Sequence, residues 1–342
     1  MKPFQPQYTI TPQLLSMIKQ IAVLIHDLNL RAYPELVLMK LRGEASALST
    51  FASTSIEGNP LPLTEVKRLL KQKLAYARQS EQEVLNYNSM LNRLNHLSEQ
   101  PFSSKVIKEI QAGVMDGLLP KHQRGEWRKE AVVIYEAQGD GIVYLLPNYA
   151  DVPSLMEALV RFVEQNQSIL DPVILAGLVH RQLVIIHPFM DGNGRSTRLI
   201  TTLLLANLGL NTLNLFSFEN YYNLNVTRYF QTVGLFGDYY ELVDTLDFTM
   251  WLTYFAEGIL DELYRVQKQL TSIQVSPQQR LKPYHQKILD YIDTHGFITD
   301  YDYAQLTDRA KATRTLDFNR LIEMNLIERR GKGRNTHYVR EL

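Results

Sequence analysis

Residues 187–198 read His-Pro-Phe-Met-Asp-Gly-Asn-Gly-Arg-Ser-Thr-Arg, placing an imidazole, a carboxylate, a glycine-rich turn and two guanidinium groups within one short stretch. That is the inventory of a phosphate-transfer site. His187 has the one side chain here that titrates near neutrality, which suits a general base acting on an incoming hydroxyl. Asp191 is placed to hold a hard cation such as Mg²⁺ bridging phosphate oxygens. Gly192, Asn193 and Gly194 tolerate left-handed backbone angles, so their successive N–H groups can turn toward one anion. Arg195 and Arg198 are about one helical turn apart and can fork onto the same phosphate group. The apolar runs on either side, Val173–Ile186 and Leu199–Leu208, read as buried helices. The polar stretch is then a loop ending on a helix start, whose positive end adds to the anion site. Taken singly, each residue would serve equally well as a turn, a surface arginine or a core pair.

Taken together, the string resembles the signature of the Fic family, H-P-F-x-[DE]-G-N-G-R-x-x-R, at every fixed position. The resemblance implies nucleotidyl transfer, most often adenylylation of a protein hydroxyl by ATP with release of pyrophosphate. By position, His187 would deprotonate a Ser, Thr or Tyr of the target, and Asp191 would bind Mg²⁺. The amides of Gly192, Asn193 and Gly194 would cradle the phosphates, while Arg195 and Arg198 hold the β and γ groups. Phe189 is expected to pack, anchoring the loop to the core.

Upstream, Ser53-Thr54-Ser55-Ile56-Glu57-Gly58-Asn59-Pro60 reads as a helix ending at a glycine, with Pro60 preventing continuation. Glu57 falls in the last turn, where the helix dipole disfavours a carboxylate and a partner is needed elsewhere. The string fits [ST]-x-x-x-E-[GN], which resembles the inhibitory motif of Fic proteins, in the subclass that carries it N-terminal to the core. The resemblance implies that Ser53 and Glu57 are inhibitory, with Glu57 pairing to Arg198 and withholding that arginine from the γ-phosphate.

The 342 residues hold 36 Lys and Arg against 36 Asp and Glu, with no cysteine. The length allows two or three domains, and a disulfide framework or thiolate metal site is excluded. The chain as a whole has no electrostatic pull toward nucleic acid. Residues 1–10 lack the apolar core of a signal peptide, and no segment reads as membrane-spanning, so the expected location is the cytoplasm, with no membrane partner.

Amphipathic helices are expected over Pro12–Asn29, about Glu35–Ala52, within Thr64–Leu97, over Pro101–Leu119 and over Asp151–Val163. Val132–Tyr135 and Ile142–Leu145 are strand-like runs around Gln138-Gly139-Asp140-Gly141, a hairpin that in the Fic pattern forms a flap over the site. Its backbone could accept a target segment by strand addition. This chain departs from the family there, having Tyr144-Leu145-Leu146-Pro147 where relatives often carry Tyr-x-Pro-Pro. Asn225-Val226-Thr227-Arg228-Tyr229-Phe230 resembles the segment that helps form the base pocket, although Val226 replaces its usual arginine. Asn225 and Tyr229 are thereby implied as adenine contacts. His180, among apolar neighbours and without metal-ligand spacing around it, is expected to be a packed histidine.

Beyond a linker come three helical stretches and two strand-like runs, Leu326–Arg329 and Thr336–Val339, around a basic turn: the winged-helix pattern. From Arg309 onward nine basic residues face four acidic ones. Lys311, Thr313 and Arg314, near a recognition-helix start, make DNA a candidate partner alongside protein docking or dimerisation. The expected fold is mainly α, a Fic-type helical bundle with a β-hairpin flap followed by a small winged-helix domain. Its expected divisions are residues 1–100 (inhibitory helix near 45–58), a catalytic core at 101–270, a linker at 271–283 and a winged helix-turn-helix at 284–342. The functional expectation is a protein adenylyltransferase acting on a target hydroxyl and on itself, with Mg²⁺ and ATP, and with a homodimer as a further candidate assembly. The alternatives are use of another nucleotide, or a DNA-binding regulator with a nucleotide-sensing core.

Overall fold

A computed structural model describes residues 3–31, 33–72, 76–135, 142–210, 214–272, 281–324 and 326–340. The expected turn Gln138–Gly141 and most of the expected linker lie outside them. In order, the elements are α1 (Pro12–Leu30), α2 (Glu35–Ile56), α3 (Leu63–Leu70), α4 (Gln79–Leu97), α5 (Ser104–Val114), β1 (Val133–Tyr135), β2 (Ile142–Leu145), α6 (Val152–Asn166), α7 (Pro172–Ile186) and α8 (Asn193–Asn207). There follow α9 (Glu219–Leu224), α10 (Val226–Val233), β3 (Gly237–Asp238), α11 (Tyr239–Leu242), α12 (Thr249–Ser272), α13 (Pro283–His295), α14 (Asp300–Leu306), α15 (Lys311–Glu323), β4 (Ile327–Arg330) and β5 (His337–Arg340). The molecule is mainly α, as expected.

Two compact units emerge, residues 1–31 with 45–268 and residues 32–44 with 269–342. This differs from the expected division. No unit boundary falls at residue 100, and the first turns of α2 group with the C-terminal unit.

In the larger unit α7 is apolar but for His180, Arg181 and Gln182 and is buried along nearly its whole length, as a central helix must be. Asp171 starts it by accepting the Val173 amide at 2.9 Å, with Pro172 at the first helical position. Gly177 lets α12 approach: a Cβ there would lie 2.8 Å from Leu252 Cδ2 and 3.0 Å from Phe255 Cδ1. Trp251 Nε1 then donates 2.7 Å to the Gly177 carbonyl. α8 runs back along α7 and packs also on α4 and α5. The hairpin β1–β2 is antiparallel, and β3 adds to β2 in parallel over Tyr144–Gly237 and Leu145–Asp238, giving the order β1-β2-β3.

α5 is shorter than expected because it starts at its Ser103 cap and unwinds after Val114 into a turn with Gly117 at φ 71°. In the C-terminal unit α13, α14 and α15 are followed by the antiparallel pair β4–β5 over a core that includes Ile288, Tyr303, Phe318 and Tyr338. α14 starts at Asp300, where Thr299 and Asp302 form a reciprocal capping box.

Gly177→Val is expected to overpack the crossing of α7 and α12 and cost about 1–3 kcal/mol. Urea unfolding with an unchanged m-value is the measurement, and a midpoint at or above that of the parent chain would refute the close-approach role.

Candidate active site

The site forms where α7 stops and α8 starts. His187 ends α7 in a left-handed conformation (φ 50°, ψ 63°), which turns the chain out of the helix axis at the imidazole. Such angles in a residue bearing a Cβ are strained and persist only where the surroundings hold them. Phe189 is buried with its ring 5.0 Å from that of Trp127, so it anchors the loop as expected. Asn193 folds back on the same loop: its side chain accepts the Phe189 amide and donates to the Phe189 carbonyl, both at 2.9 Å. Its side chain is therefore committed to closing the loop, and only its backbone amide is left to offer an anion.

Gly192 (φ 77°) starts α8, and a Cβ there would press within 2.6 Å of Met115 Sδ. The opening amides of α8 have no acceptor within the helix. Against them lies Glu57, just past the end of α2, delivered by a turn in which Gly58 takes φ 87°. A Cβ at Gly194 would overlap the Glu57 carboxylate, so this anion already sits against the bare backbone at the helix start.

Arg198 is 0% exposed. Its Nε donates to Ser53 Oγ at 2.7 Å, and its Nη2 donates to the Ser53 carbonyl and to Glu57 Oε1, both at 2.8 Å. Burial alone would lower the guanidinium pKa, but Glu57, ahead of Tyr229 and Tyr87, drives it above the ordinary arginine value. Nη1 of Arg198 is buried without a hydrogen-bond partner. Arg195, also buried, is held loosely, 3.5 Å from Asp191 Oδ1 and 3.8 Å from Glu83 Oε2, and its Nε and Nη1 likewise lack partners. Buried donors in this state cost free energy until an acceptor arrives. Two arginines with spare donors beside a helix start suit a ligand with several anionic oxygens.

His187 is partly exposed, and its Nδ1 makes no hydrogen bond of normal geometry. Burial lowers the imidazole pKa to about 4, with Arg128 adding to the effect and Glu57, the Val184 carbonyl and Asp191 opposing it. The ring is thus neutral near pH 7 and able to accept a proton. Asp191 is exposed, with one oxygen turned to its own loop through the Gly192 amide.

Tyr229, implied as an adenine contact, lies in the core. It is 1% exposed, stacked on Tyr222 at 5.0 Å, with its hydroxyl 3.0 Å from His180 Nε2. Asn225 is exposed, but its side chain caps α10 by accepting the Arg228 amide. His180 is wholly buried, its Nδ1 on Thr201 Oγ1 at 2.9 Å, a packed histidine as expected. In the C-terminal unit Lys311 is exposed, Thr313 partly so, and Arg314 is forked onto Asp300 at 2.8 and 2.9 Å. Arg309 is likewise forked onto Asp317.

The sequence reading passed over Gln111 and Arg128, which hold the loop from below. Gln111 donates to the Asp191 carbonyl at 3.0 Å and accepts the Gly125 amide at 2.6 Å.

Residues 101–205, which contain this loop and both flanking helices, match the Fic/DOC family model. The chain carries a Fic domain. It is similar to the protein adenylyltransferase Fic of Drosophila melanogaster, at 29% identity over 183 residues, 50% of this chain and 35% of that one. The corresponding protein of Drosophila mojavensis is 30% identical over 178 residues, 50% of this chain and 34% of that one. The chain thus matches about a third of the length of these curated relatives. In fold it is similar to a Fic family protein from Desulfovibrio desulfuricans G20, with a TM-score of 0.65 and 24% identity over 98% of each chain. It is also similar to Fic-1 from C. elegans, with a TM-score of 0.59 and 22% identity over 76% of this chain and 74% of that one. No helix among the described residues is long and apolar enough to cross a membrane.

Ser53→Ala leaves the buried Nε of Arg198 without its acceptor and is expected to destabilise the chain by about 1–3 kcal/mol. A chemical-denaturation midpoint unchanged from the parent would contradict the role given to this hydroxyl.

Proposed function

We propose that this protein is a protein adenylyltransferase that uses ATP and Mg²⁺, modifies a Ser, Thr or Tyr hydroxyl of a target and of itself, and is held inactive by Glu57. The observation that carries the reading is that a carboxylate occupies the start of α8 and one of its two arginines, where a phosphate would otherwise lie.

With Glu57 displaced, the amides of Gly192, Asn193 and Gly194 take the triphosphate, and Arg195 and Arg198 satisfy their spare donors on its β and γ oxygens. Asp191, exposed and next to these amides, fits a cation that takes carboxylate and phosphate oxygens together. Mg²⁺ held there would neutralise charge on the departing pyrophosphate. His187 accepts the proton of the target hydroxyl, whose oxygen bonds to the α-phosphorus as the bond from that phosphorus to the bridging oxygen breaks. The flap edge offers backbone to an extended target segment through β1, because β2 lies between β1 and β3.

In the C-terminal unit Arg309, Arg314, Arg320, Arg330 and Arg340 are each paired with a carboxylate, which leaves less free positive charge for DNA phosphates.

Glu57→Gly is expected to raise self-labelling by α-labelled ATP at least about tenfold over the parent chain, since Arg198 regains its phosphate role. Adding His187→Ala should abolish it, and GTP, CTP and UTP should label less. Equal labelling of parent and Glu57→Gly, or label surviving in the double variant, would sink the proposal.

The lowered pKa of His187 also fixes a sign. The base works when neutral, so in Glu57→Gly the rate should hold as pH falls through 6.5 and decline only toward about 4. Removing Glu57 takes away a group that raises this pKa, which moves the limb no higher. A single-turnover pH profile with half its rate lost at pH 6.5 or above would contradict the assignment.

A further inference from the structure

Arg128 is 2% exposed, and among the described residues no carboxylate pairs with it. Among the described residues its guanidinium is met by main-chain carbonyls alone. Nε donates to His187 at 2.9 Å, Nη1 to Glu130 at 3.3 Å and Nη2 to Pro147. Its own amide donates to the Pro188 carbonyl at 2.8 Å. Glu130 lies before β1 and Pro147 after β2, so one side chain joins both feet of the flap to the residue that bears the imidazole. Burial lowers its pKa, as expected for a cation without an anionic neighbour. A neutral side chain could fill the same volume without that cost. The fork is what three carbonyls from three segments require.

The neighbouring contacts divide the loop in two. Gln111 pins the Asp191 end, and Asn193 closes the middle on Phe189. The His187 end, where the backbone is strained at φ 50°, rests on Arg128. Tyr144 adds a second tie, from β2 to the Ile185 carbonyl at 3.2 Å.

We infer that Arg128 is a positioning residue that fixes the flap and the His187 backbone as one piece, so that a hydroxyl lined up by the flap meets the imidazole in register. The inference rests on the adenylyltransferase reading above. Arg128 acts through His187 and the flap and touches neither ATP nor target. Phosphate binding, which depends on the start of α8, is left intact when it is changed.

The test uses the full chain carrying Glu57→Gly, with Arg128→Gln or Arg128→Lys added. Self-labelling is followed against ATP concentration, and amide exchange is followed at 133–135, 142–145 and 187–189. Arg128→Gln is expected to lower the saturating rate by about 10²-fold, with half-saturating ATP moving by no more than about threefold. Lys, which keeps the charge and a reach to one or two carbonyls, should recover part of the rate. Exchange should rise together at the flap strands and at 187–189. A full rate in Arg128→Gln, half-saturating ATP rising in step with the rate loss, or exchange rising at only one of the two places would overturn the inference. If Arg128→Gln does not fold, Arg128→Lys gives the same comparison of rate, half-saturation and exchange. If Glu57→Gly alone shows no labelling, the proposed function fails, and the exchange pattern still decides the role of Arg128.

Discussion

A guanidinium wholly removed from water has to be answered by oxygens, and the answer given to Arg198 governs this molecule. Ser53 supplies a hydroxyl and a carbonyl, and Glu57 supplies charge. The cost of burying the cation is offset only while such partners remain, so α2 is held against α8 by the same group that a phosphate would claim. The elements around this contact serve to present it. α7 supplies a dry core, the left-handed His187 turns the chain, Gly192 makes room for Met115, and Gly194 keeps a side chain out of the space the Glu57 carboxylate takes.

The loop is stiff for a surface feature. Asn193, Gln111 and Arg128 hold its middle and its two ends, all through main-chain atoms. Preorganisation of this kind lets a site offer dipoles and donors to developing charge without rearranging at the moment of reaction. It also keeps the imidazole neutral, because the burial that fixes His187 is what pushes its pKa down.

Much of this was legible in the chain. The Gly-Asn-Gly turn, the paired arginines and the run of apolar residues before His187 announced a loop between buried helices, because local spacing alone determines those features. Glu57 was legible as an acid at the wrong end of a helix, and the structure pairs it with Arg198. Less was legible where long-range packing decides. Tyr229 lay in a stripe that resembled a base pocket, yet aromatic residues from α9, α10 and α12 enclose it. Arg314 looked available at a helix start, but Asp300, fourteen residues earlier, holds it. Arg128 was invisible as a functional residue because its partners are backbone carbonyls, which carry no signature in a string of side chains.

The crowding at Gly194 has a further consequence for how such a chain can change over generations. The carboxylate proposed to silence the site lies against the bare α-carbon of Gly194, beside the amides proposed to take the nucleotide. A bulkier residue there would evict both at once, so drift at this position cannot yield an unrestrained enzyme. If Glu57 restrains the site as proposed, heritable loss of restraint falls to the segment that delivers it, where a single codon would separate control from its absence.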